Sequence, residues 1–92
     1  MSDSVTRKIK IINEKGLHAR ASAKLVEVVE GFDASAEVLK DGMSASGDSI
    51  MGLLMLAASK GTTIEVQTSG PEAQPLADAV EALVADRFGE DC

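Results

Sequence analysis

Ala34-Ser35-Ala36-Glu37-Val38-Leu39-Lys40-Asp41-Gly42-Met43-Ser44-Ala45 spells a β-hairpin. Ala34 to Lys40 runs with a period of two, Asp41-Gly42 supplies the left-handed backbone that a tight turn requires, and Met43-Ser44-Ala45 is the short return strand. Upstream, Arg7-Lys8-Ile9-Lys10-Ile11-Ile12 alternates as a half-buried strand with Ile9 and Ile11 on one face, until Asn13-Glu14-Lys15-Gly16 breaks it. From Ala19 to Glu30 the spacing turns helical. Ala23, Leu25, Val26 and Val29 cluster on one side, Arg20, Lys24, Glu27 and Glu30 lie largely elsewhere, and Gly31 marks the stop.

Downstream of the hairpin, Ser46-Gly47-Asp48-Ser49 offers several helix caps before the apolar run Ile50 to Ala58, which predicts a short helix. Thr62 to Thr68 is the clearest strand, β-branched and alternating, with Ile64 and Val66 inward. Glu72 to Phe88 repeats Leu76, Ala79, Val80, Leu83 and Val84 at three- and four-residue steps, predicting an amphipathic helix with an acidic outer face. Gly89-Glu90-Asp91-Cys92 reads as a tail. The order βαββαβα predicts an α+β fold: a four-stranded, mainly antiparallel sheet with three helices on one face and the other face wetter. No repeat or linker divides it, so residues 1–92 read as a single domain.

Composition narrows the chemistry. Only Phe32 and Phe88 are aromatic, so the core must be aliphatic. With 9 basic against 15 acidic residues, the net charge of −6 opposes the phosphate neutralisation that nucleic-acid binding needs. No stretch approaches the roughly 20 apolar residues of a membrane span, and Met1 to Arg7 lacks the apolar run of a signal peptide. A cytoplasmic protein with no nucleic-acid or membrane partner is expected. Cys92 is the only cysteine, which excludes an internal disulfide, and one His with one distant Cys has no metal-ligand spacing.

His18 is the only histidine, set in Gly16-Leu17-His18-Ala19-Arg20-Ala21-Ser22-Ala23 between the strand-like and helix-like runs. If it caps the helix, the N–H groups of Ala19, Arg20 and Ala21 lie in a first turn without intrahelical acceptors, facing any anion on the imidazole. Arg20 adds charge-assisted hydrogen bonds to the same anion. Phosphoryl transfer needs little more than positioning and charge stabilisation, so these groups suit an imidazole that accepts a phosphoryl group brought by a partner. The chain has no Walker-type loop or nucleotide fingerprint from which to draw one itself. A lone histidine before a helix equally suits plain capping, and Arg20 alone suits a solvated charge; generic chemistry leaves both readings open.

Gly16-Leu17-His18-Ala19-Arg20, together with a second block running from Gly47-Asp48-Ser49-Ile50-Met51-Gly52 through Ala58, resembles the histidine-containing phosphocarrier (HPr) family of the bacterial phosphotransferase system. The element order resembles that family's open-faced β-sandwich across nearly the whole chain. The resemblance implies phosphorylation of His18 on Nδ1 by enzyme I or a homologue, with phosphoenolpyruvate as the original donor and an enzyme IIA-type domain as acceptor. Arg20 would steady the phosphoryl group. It further implies Ser49 as a regulatory phosphorylation site for an ATP-dependent HPr kinase/phosphorylase, and Ile50, Met51 and Leu54 as part of the partner-docking patch. Ser49 with Asp48 is also a good helix cap on physical grounds, and apolar residues of a short helix are usually core. Such a carrier is a reactant in a relay, needing no cofactor and no metal.

Two departures from the family pattern stand out. Ala21 takes the place where many members have proline, which leaves one more N–H near the imidazole and is compatible with a first helical turn. Glu27, Glu30 and Asp48 put negative charge where sugar-transport members often carry basic residues, which favours a regulatory branch such as the nitrogen-related system. The rivals are an adaptor controlled at Ser49 that acts by protein binding alone, and an enzyme using His18 as a general base. The latter needs a concave pocket for which so small a domain has little room. The acidic surface and short strands favour a monomer.

Overall fold

The structure, a computed structural model, describes residues 4–91. Cys92 and the stretch Met1-Ser2-Asp3 lie outside the described residues. The elements are β1 (Ser4–Lys10), α1 (Ala19–Glu30), β2 (Ser35–Lys40), β3 (Met43–Ser46), α2 (Ile50–Met55), β4 (Thr63–Ser69), α3 (Ala73–Ala85) and a single 3₁₀ turn (Arg87–Gly89). The sheet has the order β1-β4-β2-β3 with every neighbouring pair antiparallel. The three helices and one sheet make the α+β open-faced sandwich expected from the element order.

Register explains the core. Ile9 lies opposite Ile64, and Val38 lies opposite both Val66 and Ala45, so the inward face is continuous across all four strands. These side chains are buried with Leu25 and Val29 of α1, Leu53 of α2, and Leu76, Val80 and Val84 of α3. The opposite face carries exposed Thr6, Lys8, Glu37, Ser44, Thr63 and Gln67, as alternation in an antiparallel sheet wetted on one side requires. The β2–β3 turn has Asp41 at φ 50° and Gly42 at φ 80°, the two left-handed residues of a tight hairpin.

Several expectations need correction. The inward stripe of α1 is Ala21, Ser22, Leu25 and Val29, whereas Ala23 is exposed and Val26 only half-buried. Four-residue steps from Ala21 make that stripe, and Ser22 fits it because its Oγ donates to the Leu17 carbonyl at 3.2 Å. Gly31 ends α1 with a right-handed φ of −80°, its N–H turned back to the Val28 carbonyl, so no left-handed cap is involved.

Helix α2 stops at Met55, three residues short of Ala58. Ala57 turns left-handed at φ 53°, and Lys40 Nζ reaches across from β2 to the carbonyls of Leu56 at 3.0 Å and Ala57 at 3.3 Å. Helix α3 stops at Ala85, because Arg87 and Phe88 both adopt left-handed φ, 54° and 55°. Each costs about 1–2 kcal/mol. Burying the Phe88 ring offsets about 1.5–3 kcal/mol, and a charged hydrogen bond such as Lys24 Nζ to the Phe88 carbonyl about 1.5–3 kcal/mol more. The balance favours the turn, and it redirects the chain end toward the start of α1.

Candidate functional site

The loop before α1 is stitched to its neighbours by backbone hydrogen bonds. Ile11 N donates to Thr62 O at 2.8 Å, Gly61 N to Ile11 O at 2.8 Å, and Leu17 N to Ala58 O at 2.8 Å. Gly16 sits at φ 64°, and a Cβ there would collide with the Ala58 carbonyl oxygen and stand 2.8 Å from Ser59 Cα. Only glycine lets the two loops approach this closely. The next residue but one is His18.

His18 caps α1 with extended backbone, φ −77° and ψ −176°, while its carbonyl accepts the Ser22 N–H at 2.8 Å. Nδ1 accepts the Arg20 N–H at 3.3 Å, so this nitrogen faces the open first turn of the helix. The guanidinium of exposed Arg20 has no ion-pair or hydrogen-bond partner among the described residues. The ring nitrogen thus meets the Arg20 amide of the first turn, and Ala19 and Arg20 line the same hollow as His18.

The other ring nitrogen brings a residue that was read as tail. His18 Nε2 is hydrogen-bonded to Glu90 Oε2, and Glu90 Oε1 accepts from Asn13 Nδ2 at 2.9 Å. Asn13, fully buried, gives its second amide proton to the Gly16 carbonyl at 2.9 Å. The tautomer follows from these partners: Nδ1 accepts and carries the lone pair, and Nε2 carries the proton. The Asn13 hydrogen bond, then that from His18, with the charge of Lys15 adding, holds the Glu90 carboxyl below the usual carboxylate range against the effect of burial.

The hollow at His18 is lined by Glu14, Lys15, Ala19, Arg20, Lys24, Gly89, Glu90 and Asp91. Its three basic side chains meet three acidic ones, so the surplus of negative charge in the whole chain is not concentrated here. Asn13, Lys24 and Glu90 escaped sequence reasoning. The available signal was Phe88, a large apolar residue placed just before Gly89-Glu90 in a chain with only two aromatics.

Ser49, Ile50, Met51 and Leu54 lie outside that lining, on and before α2. Ser49 is the α2 cap, its Oγ accepting the Gly52 N–H at 3.1 Å, and Ser46 Oγ donates to Asp48 Oδ1 at 2.5 Å beside it. Of α2 only Leu53 is buried. Met51 is 71% exposed and Met55 77%, with Ile50 and Leu54, and Met43 on β3, exposed as well. Ile50, Met51 and Leu54 are thus exposed apolar residues on α2, and Met55 on the same helix joins them. Glu27, Glu30 and Asp48 are exposed. Among the described residues no group of three or more His, Cys, Asp or Glu is placed to hold a metal ion, and no helix is long and apolar enough to cross a membrane.

Residues 5–86 match the PTS-HPr family, described as the PTS HPr component phosphorylation site. The chain is 48% identical over 80 residues to the phosphocarrier protein HPr of Cupriavidus necator, covering 87% of this chain and 90% of that protein. It is 40% identical over 89 residues to the phosphocarrier protein NPr of Escherichia coli K12, covering 96% and 99%. A crystal structure of HPr-C-His from Thermoanaerobacter tengcongensis superposes with a TM-score of 0.91 at 31% identity, covering 96% of this chain and 99% of that one. Fold and similarities together define a phosphocarrier, a protein that is a reactant in group transfer and not itself a catalyst. The chain belongs to the HPr family of the phosphotransferase system.

Proposed function

We propose that His18 accepts a phosphoryl group on Nδ1 from enzyme I or a homologue, phosphoenolpyruvate being the original donor, and passes it to an enzyme IIA-type domain. The observation that carries this reading is the Arg20 N–H on Nδ1, which aims that nitrogen at the first turn of α1. Once Nδ1 is bonded to phosphorus, the amide is released to a phosphoryl oxygen, alongside those of Ala19 and Ala21. The helix terminus contributes about 0.3–1 kcal/mol to such an anion, and the unpaired Arg20 guanidinium about 1.5–3 kcal/mol. No cofactor takes part. The carrier is a single cytoplasmic domain, residues 1–92, and a monomer, its acidic surface opposing self-association.

Ser49 is the regulatory site in this reading, a substrate for an HPr kinase/phosphorylase. A phosphate there adds about −1.5 to −2 charge at the N-terminus of α2, next to Asp48 and the exposed Ile50, Met51 and Leu54, and so acts on docking more than on folding. That same apolar surface supports a second reading, an adaptor that recruits partners under Ser49 control without phosphoryl traffic through His18. Intact mass after incubation with phosphoenolpyruvate, magnesium and enzyme I separates the two. One acid-labile phosphoryl group, absent in His18→Ala, is expected of the carrier. A folded protein that takes none from several enzyme I homologues is the adaptor.

A further inference from the structure

We infer that Glu90 is a positioning residue for transfer at His18: its carboxylate keeps the proton on Nε2, leaves the Nδ1 lone pair toward α1, and offsets the charge the ring acquires. The inference rests on the carrier reading and deepens it. The two ring nitrogens bear on it independently. Nδ1 accepts from a backbone amide, which can only donate, and Nε2 faces a carboxylate, which when ionised can only accept. One neutral tautomer satisfies both.

Glu90 is held through both of its carboxylate oxygens. Its Oε1 is engaged by Asn13, which is itself fixed by the Gly16 carbonyl within the loop stitched to Ala58. From the other side the chain end is anchored by buried Phe88 and by Lys24, and it spends two left-handed non-glycine residues to arrive there. A solvated tail has no need of that geometry. The carboxylate's side chain is 13% exposed and the imidazole's 26%, so solvent weakens their interaction only in part.

In the step itself, the Nδ1 lone pair attacks the phosphorus of the phosphorylated donor protein. The P–N bond forms, the bond from phosphorus to the donor atom breaks, and its electron pair returns to the donor. The proton on Nε2 stays in place, so the ring becomes cationic with the Glu90 carboxylate beside the new charge. When the phosphoryl group moves on, the P–N electron pair returns to Nδ1 and the neutral tautomer is restored. Orienting an imidazole with a carboxylate on its remote nitrogen is the logic of histidine-based general-base sites, here applied to a nucleophile.

The test is Glu90→Gln in the full chain, with Glu90→Asp as the conservative companion and amide NMR to verify the fold. Two quantities are read: the ¹⁵N shifts of the His18 ring at a pH where it is neutral, and the single-turnover rate of phosphoryl transfer from phosphorylated enzyme I. The wild type is expected to show protonated Nε2 and bare Nδ1. Glu90→Gln is expected to give a tautomer mixture and to lower the rate about tenfold with little change in KM, the lower end of what loss of a carboxylate partner costs a metal-bound histidine. Glu90→Asp is expected to recover part of both. An unchanged tautomer or an unchanged rate in Glu90→Gln overturns the inference. A wild type that accepts no phosphoryl group on His18 overturns the carrier reading instead, which the mass measurement shows separately.

Discussion

Lys24 Nζ, on the second turn of α1, donates a 2.7 Å hydrogen bond to the carbonyl of Phe88, tying the helix that His18 caps to the end of the chain. The Phe88 ring beneath that carbonyl is fully buried, and Glu90 follows two residues later against His18. Anchoring and site geometry are therefore one feature. Phe88→Ala is expected to cost about 3–5 kcal/mol in urea unfolding, because it leaves a cavity and removes the reward for the left-handed turn. In the molecules that remain folded, the Glu90–His18 contact should be lost, visible as a change in the His18 ring ¹⁵N shifts. Retention of the wild-type shifts would show that the contact stands without its anchor.

On the other side of the imidazole, Gly16 has no room for change. A Cβ meets backbone atoms of Ala58 and Ser59, which cannot rotate away as a side chain can, and φ of 64° adds strain for any L side chain. Gly16→Ala is expected to lower stability by more than about 1 kcal/mol, beyond the gain that reduced chain entropy gives alanine elsewhere. It should also slow phosphorylation, because relief of the clash displaces Leu17 and His18. Gly42→Ala is the control: its φ of 80° is also left-handed, but nothing lies within 4 Å of the added Cβ. Equal loss of transfer in the two variants would show that strain alone, and not the approach of the Ala58 loop, is responsible.

The limits of legibility follow from the range of the forces. His18 as the cap of α1, and the start of that helix at Ala19, were readable because the change from strand to helical period happens within a few residues. The hairpin was readable because Asp41-Gly42 names its own backbone geometry. The end of α2 was not, since it depends on Lys40 reaching Leu56 and Ala57 from a strand 16 and 17 residues earlier. Glu90 was invisible for the same reason. Its place requires left-handed Arg87 and Phe88, which no local preference announces, and contacts with Asn13 and His18 more than 70 residues away. On α1, periodicity placed the helix but assigned Ala23 to the wrong side, because polar Ser22 holds the inward position with its own hydrogen bond.

The Glu90 carboxyl sets a pH dependence whose sign is determined. Its folded-state pKa lies below the unfolded value, chiefly through Asn13 and then His18. The stabilisation is thus fully present above the usual carboxylate range and is lost as pH falls through the depressed folded value. The charged groups around it are Lys15, Arg20 and Lys24 on one side of the ledger and Glu14 and Asp91 on the other. Urea unfolding of wild type and Glu90→Gln from about pH 7 to about pH 2 should show a stability gap that is flat near neutrality and closes in acid. Repeating the series in His18→Ala should shrink the gap without abolishing it, because the Asn13 hydrogen bond remains. A gap that persists undiminished in strong acid would mean that the ionised carboxylate is not what stabilises the contact.

Exposure on α2 separates docking from folding. Met51 and Met55 put most of their thioether side chains into solvent, and only Leu53 of that helix enters the core. A charge at Met51 therefore has nothing to disrupt within the chain, whereas an apolar protein partner seated there would have to bury it. Met51→Asp is expected to leave stability within about ±0.5 kcal/mol, as for other surface substitutions. It should raise KM for enzyme I by about tenfold, the scale of a single interface residue worth more than 1 kcal/mol, with kcat little changed. Leu53→Ala is the contrasting variant, expected to cost about 2–5 kcal/mol in stability because that side chain is fully buried. If Met51→Asp leaves KM unchanged for enzyme I and for the IIA-type acceptor alike, the apolar surface of α2 is not where these partners sit, and the search moves to the hollow lined by Lys15, Arg20 and Lys24.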